Sequence, residues 1–380
     1  MGMNISKMIF WCCSTVFLYT YVGYPLLSGI LAFCRRQERS PVPLTRPKVT
    51  IIVAAYNERA VIVDRLTNIA EMDASEMEVE VIVASDGSTD GMNEIVTAWP
   101  ESKVRLLALP RGGRALAHNQ AAAVSTGDIL VFTDANTTFQ KNFLVEIVRP
   151  FSQPDVGCVV GRLKFVTARQ TLAEDAGMYW KYETKLREWE SRAGLLAVGS
   201  GCCMAVRKEL FSELQPDEDI DDAIPLDLLI QGYRIVFAPE AVVFDVAPCT
   251  PHDEIRARTR MTVLSLTAIL RRKTLLNPFL FPRAAVTVLS HRVLRYLSPV
   301  FVLGGLASNA PLVGERLYGA TFLVQALFYA FAFLGWMMGG QRFRMSVLRF
   351  PLSFCVWNIG FCAGLVRVLR RQTVTTYTPV

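Results

Sequence analysis

The apolar run Ile129-Leu130-Val131-Phe132 ends in Thr133 and then in the triple Asp134-Ala135-Asn136. A buried strand that stops in Asp-x-Asn sets two oxygen ligands at the carboxyl edge of a sheet, where open α/β sheets bind their ligands. Hard divalent cations take such oxygens, and diphosphates take such cations. Asp134 and Asn136 are therefore candidate ligands for Mg2+ or Mn2+; the plainer alternative is an Asx turn closing a strand. Upstream, Arg111 and Arg114 flank Gly112-Gly113 just before a helical stretch. Guanidinium groups and helix N–H groups both favour phosphate there. Asp86, at the end of the run Val81–Ser85 and followed by Gly87, puts a carboxylate where it can accept from a uracil N–H or a ribose hydroxyl. Asp221-Asp222 are adjacent carboxylates, which raise one another's pKa, as suits a general base.

These residues need a scaffold, and the hydrophobic pattern supplies one. Val49–Ala54, Val79–Ala84, Val104–Ala108 and Ile129–Thr133 read as buried strands. They alternate with the helical stretches Glu58–Ile69, Gly91–Trp99 and Ala115–Ser125. Strands alternating with helices mean βαβ units and a mostly parallel sheet, so residues 47–250 are expected to form one α/β domain. Ser88, Thr89 and Asp90 are expected to cap the following helix. His118 reads as a packing residue, since no second histidine lies nearby to join it on a metal.

The chain has 380 residues, 52% hydrophobic and 19% charged, with mean hydropathy +0.30. That is too apolar for an ordinary soluble domain and too charged for an all-membrane protein, so a catalytic domain with several membrane spans is expected. Met8–Phe33 is uncharged and long enough to cross a bilayer; it is too long for the core of a signal peptide. Arg35, Arg36 and Arg39 follow it, against Lys7 before it, which orients the N-terminus outward and the next domain toward the cytoplasm. Ser40-Pro41-Val42-Pro43 reads as a linker closing an N-terminal segment, 1–46. Residues 251–295 begin with a basic amphipathic stretch, Asp253–Lys273, suited to a membrane surface. Within 296–380, apolar runs at Tyr296–Val313, Leu317–Gly339 and Leu348–Val366 suggest further spans. Three spans would put the C-terminus outside, whereas Arg367, Arg370 and Arg371 favour the inside; a re-entrant segment would remove the conflict. The net charge of +6 flanks apolar segments rather than aromatics, which argues against a nucleic-acid partner. Nine cysteines without a C-x-x-C argue against structural zinc and for a reducing compartment.

Taken together, VTIIVAAYNE (Val49–Glu58), VIVASDGSTDG (Val81–Gly91), the stretch Pro110–Phe139, GSGCCMAVRKELF (Gly199–Phe211), Asp219–Pro225 and Arg256–Met261 resemble a membrane-bound family 2 glycosyltransferase. The likeness is to the bacterial polysaccharide and cell-envelope type, related to the cellulose and poly-N-acetylglucosamine synthases. It implies a GT-A fold, a Rossmann-like α/β domain, with added transmembrane helices. By that resemblance Ala55, Tyr56, Asn57 and Glu58 line the donor nucleotide pocket with Asp86 and Arg114, and Asp134 and Asn136 stand for the metal-binding Asp-x-Asp. Gly199, Gly201 and Cys202 fall in the acceptor and sugar region; Cys202 is a small buried residue, not a nucleophile. Asp221-Asp222 occupies the family's Glu-Asp position, with Asp222 expected as base, and Arg260 keeps the cation of a Gln-x-x-Arg-Trp motif whose tryptophan is here Met261.

The function implied is inverting transfer from a nucleoside diphosphate sugar, with a UDP-sugar expected, to a lipid-linked or growing saccharide at the cytoplasmic face of the inner membrane. The partners are the donor, the acceptor and membrane lipids. A processive synthase that extrudes its product fits the C-terminal spans; single addition fits the missing tryptophan. A scaffold or transporter without catalysis is the rival from another class. A Rossmann oxidoreductase would need G-x-G-x-x-G after the first strand, where this chain has Ala54-Ala55-Tyr56-Asn57-Glu58.

Overall fold

The computed structural model describes residues 5–35, 46–166, 173–246, 250–338 and 346–373. The linker expected at Ser40–Pro43 lies outside the described residues. The chain enters on α1 (Ile5–Leu18), a π turn (Tyr19–Gly23) and α2 (Tyr24–Cys34). The α/β domain then runs β1 (Lys48–Ala55), α3 (Ile62–Ala70), β2 (Glu78–Asp86), α4 (Met92–Thr97), β3 (Val104–Leu109), α5 (Arg114–Val124) and β4 (Ile129–Asp134). It continues through β5 (Thr138–Phe139), α6 (Phe143–Val148), β6 (Val156–Val166), α7 (Ala173–Ala193), β7 (Met204–Arg207), α8 (Ile220–Ile230) and β8 (Arg234–Val246). All four strands and the three helical stretches expected from the hydrophobic pattern are present.

The strands form one sheet in the order β3-β2-β1-β4-β7-β6-β8-β5. The first four are mutually parallel, as are β6 and β8, while β7 runs antiparallel between β4 and β6. Both faces are covered, which is why the strands read as unbroken apolar runs. Side chains alternate across the sheet. Ile51, Val53, Val81, Val83 and Val131 face the core under α3 and α6, and Ile52, Ile82, Ala84, Leu130 and Phe132 face the core under α5 and α8. The carboxyl ends of β1, β2 and β4 therefore lie side by side, with Ala54 in register with both Ala84 and Asp134.

Beyond the sheet come α9 (Pro251–Arg271), α10 (Pro282–Thr287), a second π turn (Val288–Val293), α11 (Leu294–Tyr296), α12 (Ser298–Asn309), α13 (Arg316–Met337) and α14 (Ser346–Leu369). Among the described residues, three helices are long and apolar enough to cross a membrane: Ile5–Cys34, Arg316–Met337 and Leu348–Leu369. The run expected as a span at Tyr296–Val313 is a short helix bent by 57° from Pro282–Tyr296, and the two together are long and apolar enough to form a broken span or a re-entrant loop. Lys7 pairs with Glu315 at 2.7 Å and Trp11 donates to the Tyr318 hydroxyl, which ties the starts of α1 and α13 together.

The amphipathic stretch is α9, and much of its apolar surface is spent inside the protein rather than left for lipid. Ala268 and Ile269 join Leu226, Ala284 and Val288 in one buried cluster. Another face of α9 runs alongside α14 in parallel register. Trp357 Nε1 donates to Glu254 at 2.8 Å, Thr259 Oγ1 reaches the Gly360 carbonyl at 3.3 Å, and Thr262 lies against Gly364. Small residues allow this approach: a Cβ on Gly364 would sit 2.5 Å from the Thr262 Cβ. Gly364→Leu is therefore expected to destabilise the chain by about 1–3 kcal/mol through overpacking, read as a lower Tm in detergent. Gly314→Leu, at a glycine with open space around it, is the control and should leave Tm unchanged.

Candidate active site

One cavity of about 970 Å³ opens over the carboxyl ends of β1, β2 and β4 and runs on to α9 and α14. Ala55, Tyr56, Glu58, Asp86, Arg114, Asp134, Asn136, Gly199, Gly201, Cys202, Asp221, Asp222 and Arg260 all line it. Of the residues expected at the site, Asn57 alone stays out of the lining. Its backbone is left-handed (φ 55°), and its amide oxygen accepts from Thr89 N at 2.9 Å while its own N–H donates to Ser88 Oγ. Asn57 thus braces the turn after β2 instead of meeting a donor. Ser88 and Thr89 are spent on that brace. Asp90 caps, accepting from Met92 N at 3.1 Å and from Arg59 N at 2.8 Å.

Asp86 is buried, and its oxygens are already occupied. The N–H groups of Gly112 and Gly113 donate to it at 2.7 and 3.0 Å, and Arg111 pairs with it. Its carboxylate thus holds the Gly-rich loop against the end of β2. The approach requires Gly87, at φ 73°, since a Cβ there would meet the Arg111 backbone nitrogen at 2.8 Å. The same loop carries the Arg111 guanidinium over the Tyr56 ring, 3.5 Å from its centroid, a stacked cation–aromatic floor for a planar base.

Arg114, at the start of α5, pairs with Asp134 and lies 4.0 Å from Asp219. The paired carboxylates hold its guanidinium firmly charged against the cost of burial. Asn136 donates to Asp245 Oδ1 at 3.4 Å, which leaves its amide oxygen for another partner. Burial and then the Asp134 charge push the Asp245 carboxyl up to about 6. Burial and the charges of Asp134 and Asp90 also push Glu58 up. Asn136 is thus hydrogen-bonded to Asp245, whose carboxyl feels the Asp134 charge, while Asp134 itself is paired with Arg114. Among the described residues no group of three His, Cys, Asp or Glu side chains is poised around a cation, so any cation here needs the donor's own oxygens to complete its shell. His118 is buried with neither ring nitrogen bonded, edge-on to Phe132 at 5.2 Å, and burial pushes it down to about 3. It is a packing residue. Cys202 is buried beside Ser200, with its thiol held well above the usual range, first by the contact with Cys203 and then by burial.

The acid pair divides in a way spacing did not reveal. Asp219 caps α8 by accepting from Ile220 N at 2.8 Å, while Asp217 and Glu218 pair with Arg271 and Arg272. Asp222, expected as the base, accepts from Ser265 Oγ at 3.1 Å and from Arg292 at 3.0 Å. Asp221 has a buried Oδ1 with no hydrogen-bond partner among the described residues. Burial, then the Asp219 charge, push it up to about 7, against the pull of Arg114. Gly201 faces that oxygen: a Cβ there would stand 2.5 Å from Asp221 Oδ1 and 3.1 Å from Arg114 Nη2. Gly199 N donates to the Asp221 carbonyl at 2.7 Å, so the glycine loop clasps the first turn of α8 and packs closely against its carboxylate.

Arg260 lines the cavity from α9, close enough to help hold the Asp219 carboxyl below its usual range. Asp245 and Arg292 were not anticipated. Asp245 follows the apolar run Ala241–Phe244 at the end of β8, the same signal that marked Asp134. Arg292 carries no local signal at all.

Residues 50–215 match the family described as Glycosyl transferase family 2. The chain is 28% identical over 230 residues to the "Probable glycosyltransferase YdaM" of Bacillus subtilis, covering 56% of this chain and 54% of that protein. It is 28% identical over 158 residues to a beta-monoglucosyldiacylglycerol synthase of Nostoc sp., covering 40% of this chain and 34% of that one. The matches thus span about half, or less, of the length of these relatives. Among solved structures, a mannosyltransferase of Pyrobaculum calidifontis in complex with GDP-Man and Mn2+ superposes with TM-score 0.71, over 95% of this chain and 99% of that one, at 22% identity. The family match over residues 50–215 and the likeness of fold agree with the order of motifs along the chain, and the fold is GT-A.

Proposed function

We propose that the protein transfers a sugar, with inversion, from a nucleoside diphosphate sugar to an acceptor borne by the membrane. The observation that carries this reading is the single cavity joining Tyr56 and Asp86 to Asp134, then to Asp221, and ending against Leu264 of α9 and Leu352, Val356 and Trp357 of α14. A donor base and ribose fit the Tyr56–Arg111 end, and the diphosphate fits between Arg114 and Arg260. Asp134, Asn136 and Asp245 have the hard oxygens that Mg2+ or Mn2+ prefers, and the mutual repulsion of Asp134 and Asp245 is what a cation would relieve. When bound there, a divalent ion offsets charge on the departing diphosphate. The similar mannosyltransferase was solved with Mn2+ and a nucleotide sugar, which supports that set.

Asp221, rather than Asp222, takes the acceptor proton in this reading. Its Oδ1 has no hydrogen-bond partner among the described residues and lies against Gly201 in the cavity wall, whereas Asp222 is held by Ser265 and Arg292. A base must be unprotonated to act, so transfer is expected to fall as pH drops through about 7, seen in kcat profiles of purified enzyme. A profile flat from pH 8 to pH 5 would remove Asp221 from the role.

The apolar acceptor end suits a lipid-linked acceptor, and the similar glucosyldiacylglycerol synthase acts in lipid chemistry by its name. The charges of α9 (Asp253, Glu254, Arg256, Arg258 and Arg260) do not enter hydrocarbon. Because α14 runs beside α9 from Trp357 to Val368, that half belongs with the catalytic domain. Arg367, Arg370 and Arg371 then lie on the cytoplasmic side, as the positive-inside bias asks. The test is full-length enzyme in vesicles, given a panel of labelled UDP- and GDP-sugars with Mn2+. The reading expects label in the lipid extract, one sugar per acceptor. Long water-soluble product would favour a processive synthase, and no turnover of any donor would favour a scaffold.

A further inference from the structure

The turns Tyr19–Gly23 and Val288–Val293 are both π-helical. Such wide turns are rare and concentrate at functional positions. Here the two meet, with the Tyr19 and Ser290 hydroxyls 2.8 Å apart. Neighbouring side chains of a helix diverge by roughly a quarter-turn or more, and three successive residues of the second turn reach three different elements. Ser290 meets Tyr19. His291, 2% exposed, lies between Glu190 at 2.6 Å and Glu183 at 3.1 Å, both on α7. Arg292 reaches Asp222 in the first turn of α8. Tyr24, one residue past the first π turn, donates to the same Glu190 at 2.6 Å. The N-terminal apolar helix, α7 and the acidic turn thus meet at one point.

The acidic turn depends on that point. Without Arg292 the buried Asp222 keeps, among the described residues, the Ser265 hydroxyl and the weaker pull of the Arg187 charge. A buried carboxylate stripped of its cation is strongly unfavourable, so the side chain moves or takes a proton. Asp221 is its neighbour on the same turn.

We propose that Arg292 is a positioning residue: it holds Asp222, and through it Asp221, at the cavity, and ties that turn to the N-terminal membrane helix through the paired π turns. The catalytic consequence rests on Asp221 being the base, but the mechanical link does not. Hydrogen exchange of the full chain in lipid nanodiscs tests the link. Arg292→Gln and Tyr19→Phe are each expected to speed exchange of amides 219–224 by about tenfold or more, through a local opening, with amides of β1 and β4 unchanged. Arg292→Lys should restore much of the protection. If those amides are unmoved in both variants, or if exchange rises throughout the domain, the proposal is overturned. Tyr19→Phe and Arg292→Lys are mild enough to decide the matter should Arg292→Gln fail to fold. In the kinetic arm, Arg292→Gln should lower kcat about tenfold while the Kd of UDP or GDP with Mn2+ stays within about twofold. A Kd that weakens in step with kcat would place Arg292 on the donor and sink the positioning role. A wild type without turnover, but with the exchange pattern intact, would sink the transferase reading alone.

Discussion

Asp221→Asn is expected to cut sugar transfer by about 10³-fold while leaving nucleotide affinity within about twofold, in line with the loss of a general base. Asn keeps the size of the side chain and the Gly199 contact, which goes to the Asp221 backbone. What it loses is the proton acceptor facing Gly201. Asp222→Asn should cost far less, about tenfold, because its amide oxygen still accepts from Ser265 and Arg292. The two variants, compared for kcat and for calorimetric nucleotide binding, separate the carboxylates. Equal losses, or the larger loss at Asp222, would return the base role to Asp222, where the family resemblance had placed it.

The second large effect concerns the cation. Chelation should reduce transfer to a trace, with Mg2+ or Mn2+ restoring it, and Asp134→Asn should lower kcat by about 10²–10³-fold even at saturating metal. Part of that loss comes from Arg114, a buried cation that would keep only the more distant Asp219. Asn136→Asp makes the opposite prediction. An added carboxylate strengthens a hard-cation site, so the metal concentration for half-maximal activity should fall about tenfold, close to 1.4 kcal/mol. Without a cation the same change sets a new charge against Asp245, now 3.4 Å from the Asn136 amide, so the apo variant should unfold at lower temperature. Unchanged metal dependence in Asn136→Asp would show that residue 136 does not touch the ion.

Much of this was legible in the chain. Apolar runs of four to six residues fixed β1, β2, β3 and β4, because a sheet covered on both faces demands continuous hydrophobicity. Their polar ends then had to share one edge, so Tyr56, Asp86, Asp134 and Asn136 were bound to meet. The late acidic pair and the arginines of α9 were expected at the same site from the order of motifs, and they line it. Less legible was how each side chain points. Asn57 and Asp86 stand where expected, yet one braces a turn and the other is bound by Gly112, Gly113 and Arg111.

By itself, then, the sequence determined the strands, the apolar helices and the set of charged residues that gather at the sheet edge. Those follow from local periodicity and from where a strand must stop. The tertiary structure alone decided which partners Asp221 and Asp222 have. Adjacent residues on a helical turn point in different directions, and their surroundings come from Gly201, Ser265 and Arg292, up to 71 positions away. It also decided that α14 lies along α9, through a close fit at Gly360 and Gly364 that hydropathy does not register. Long-range packing, not composition, set the partners of the acid pair and brought Arg292 to Asp222.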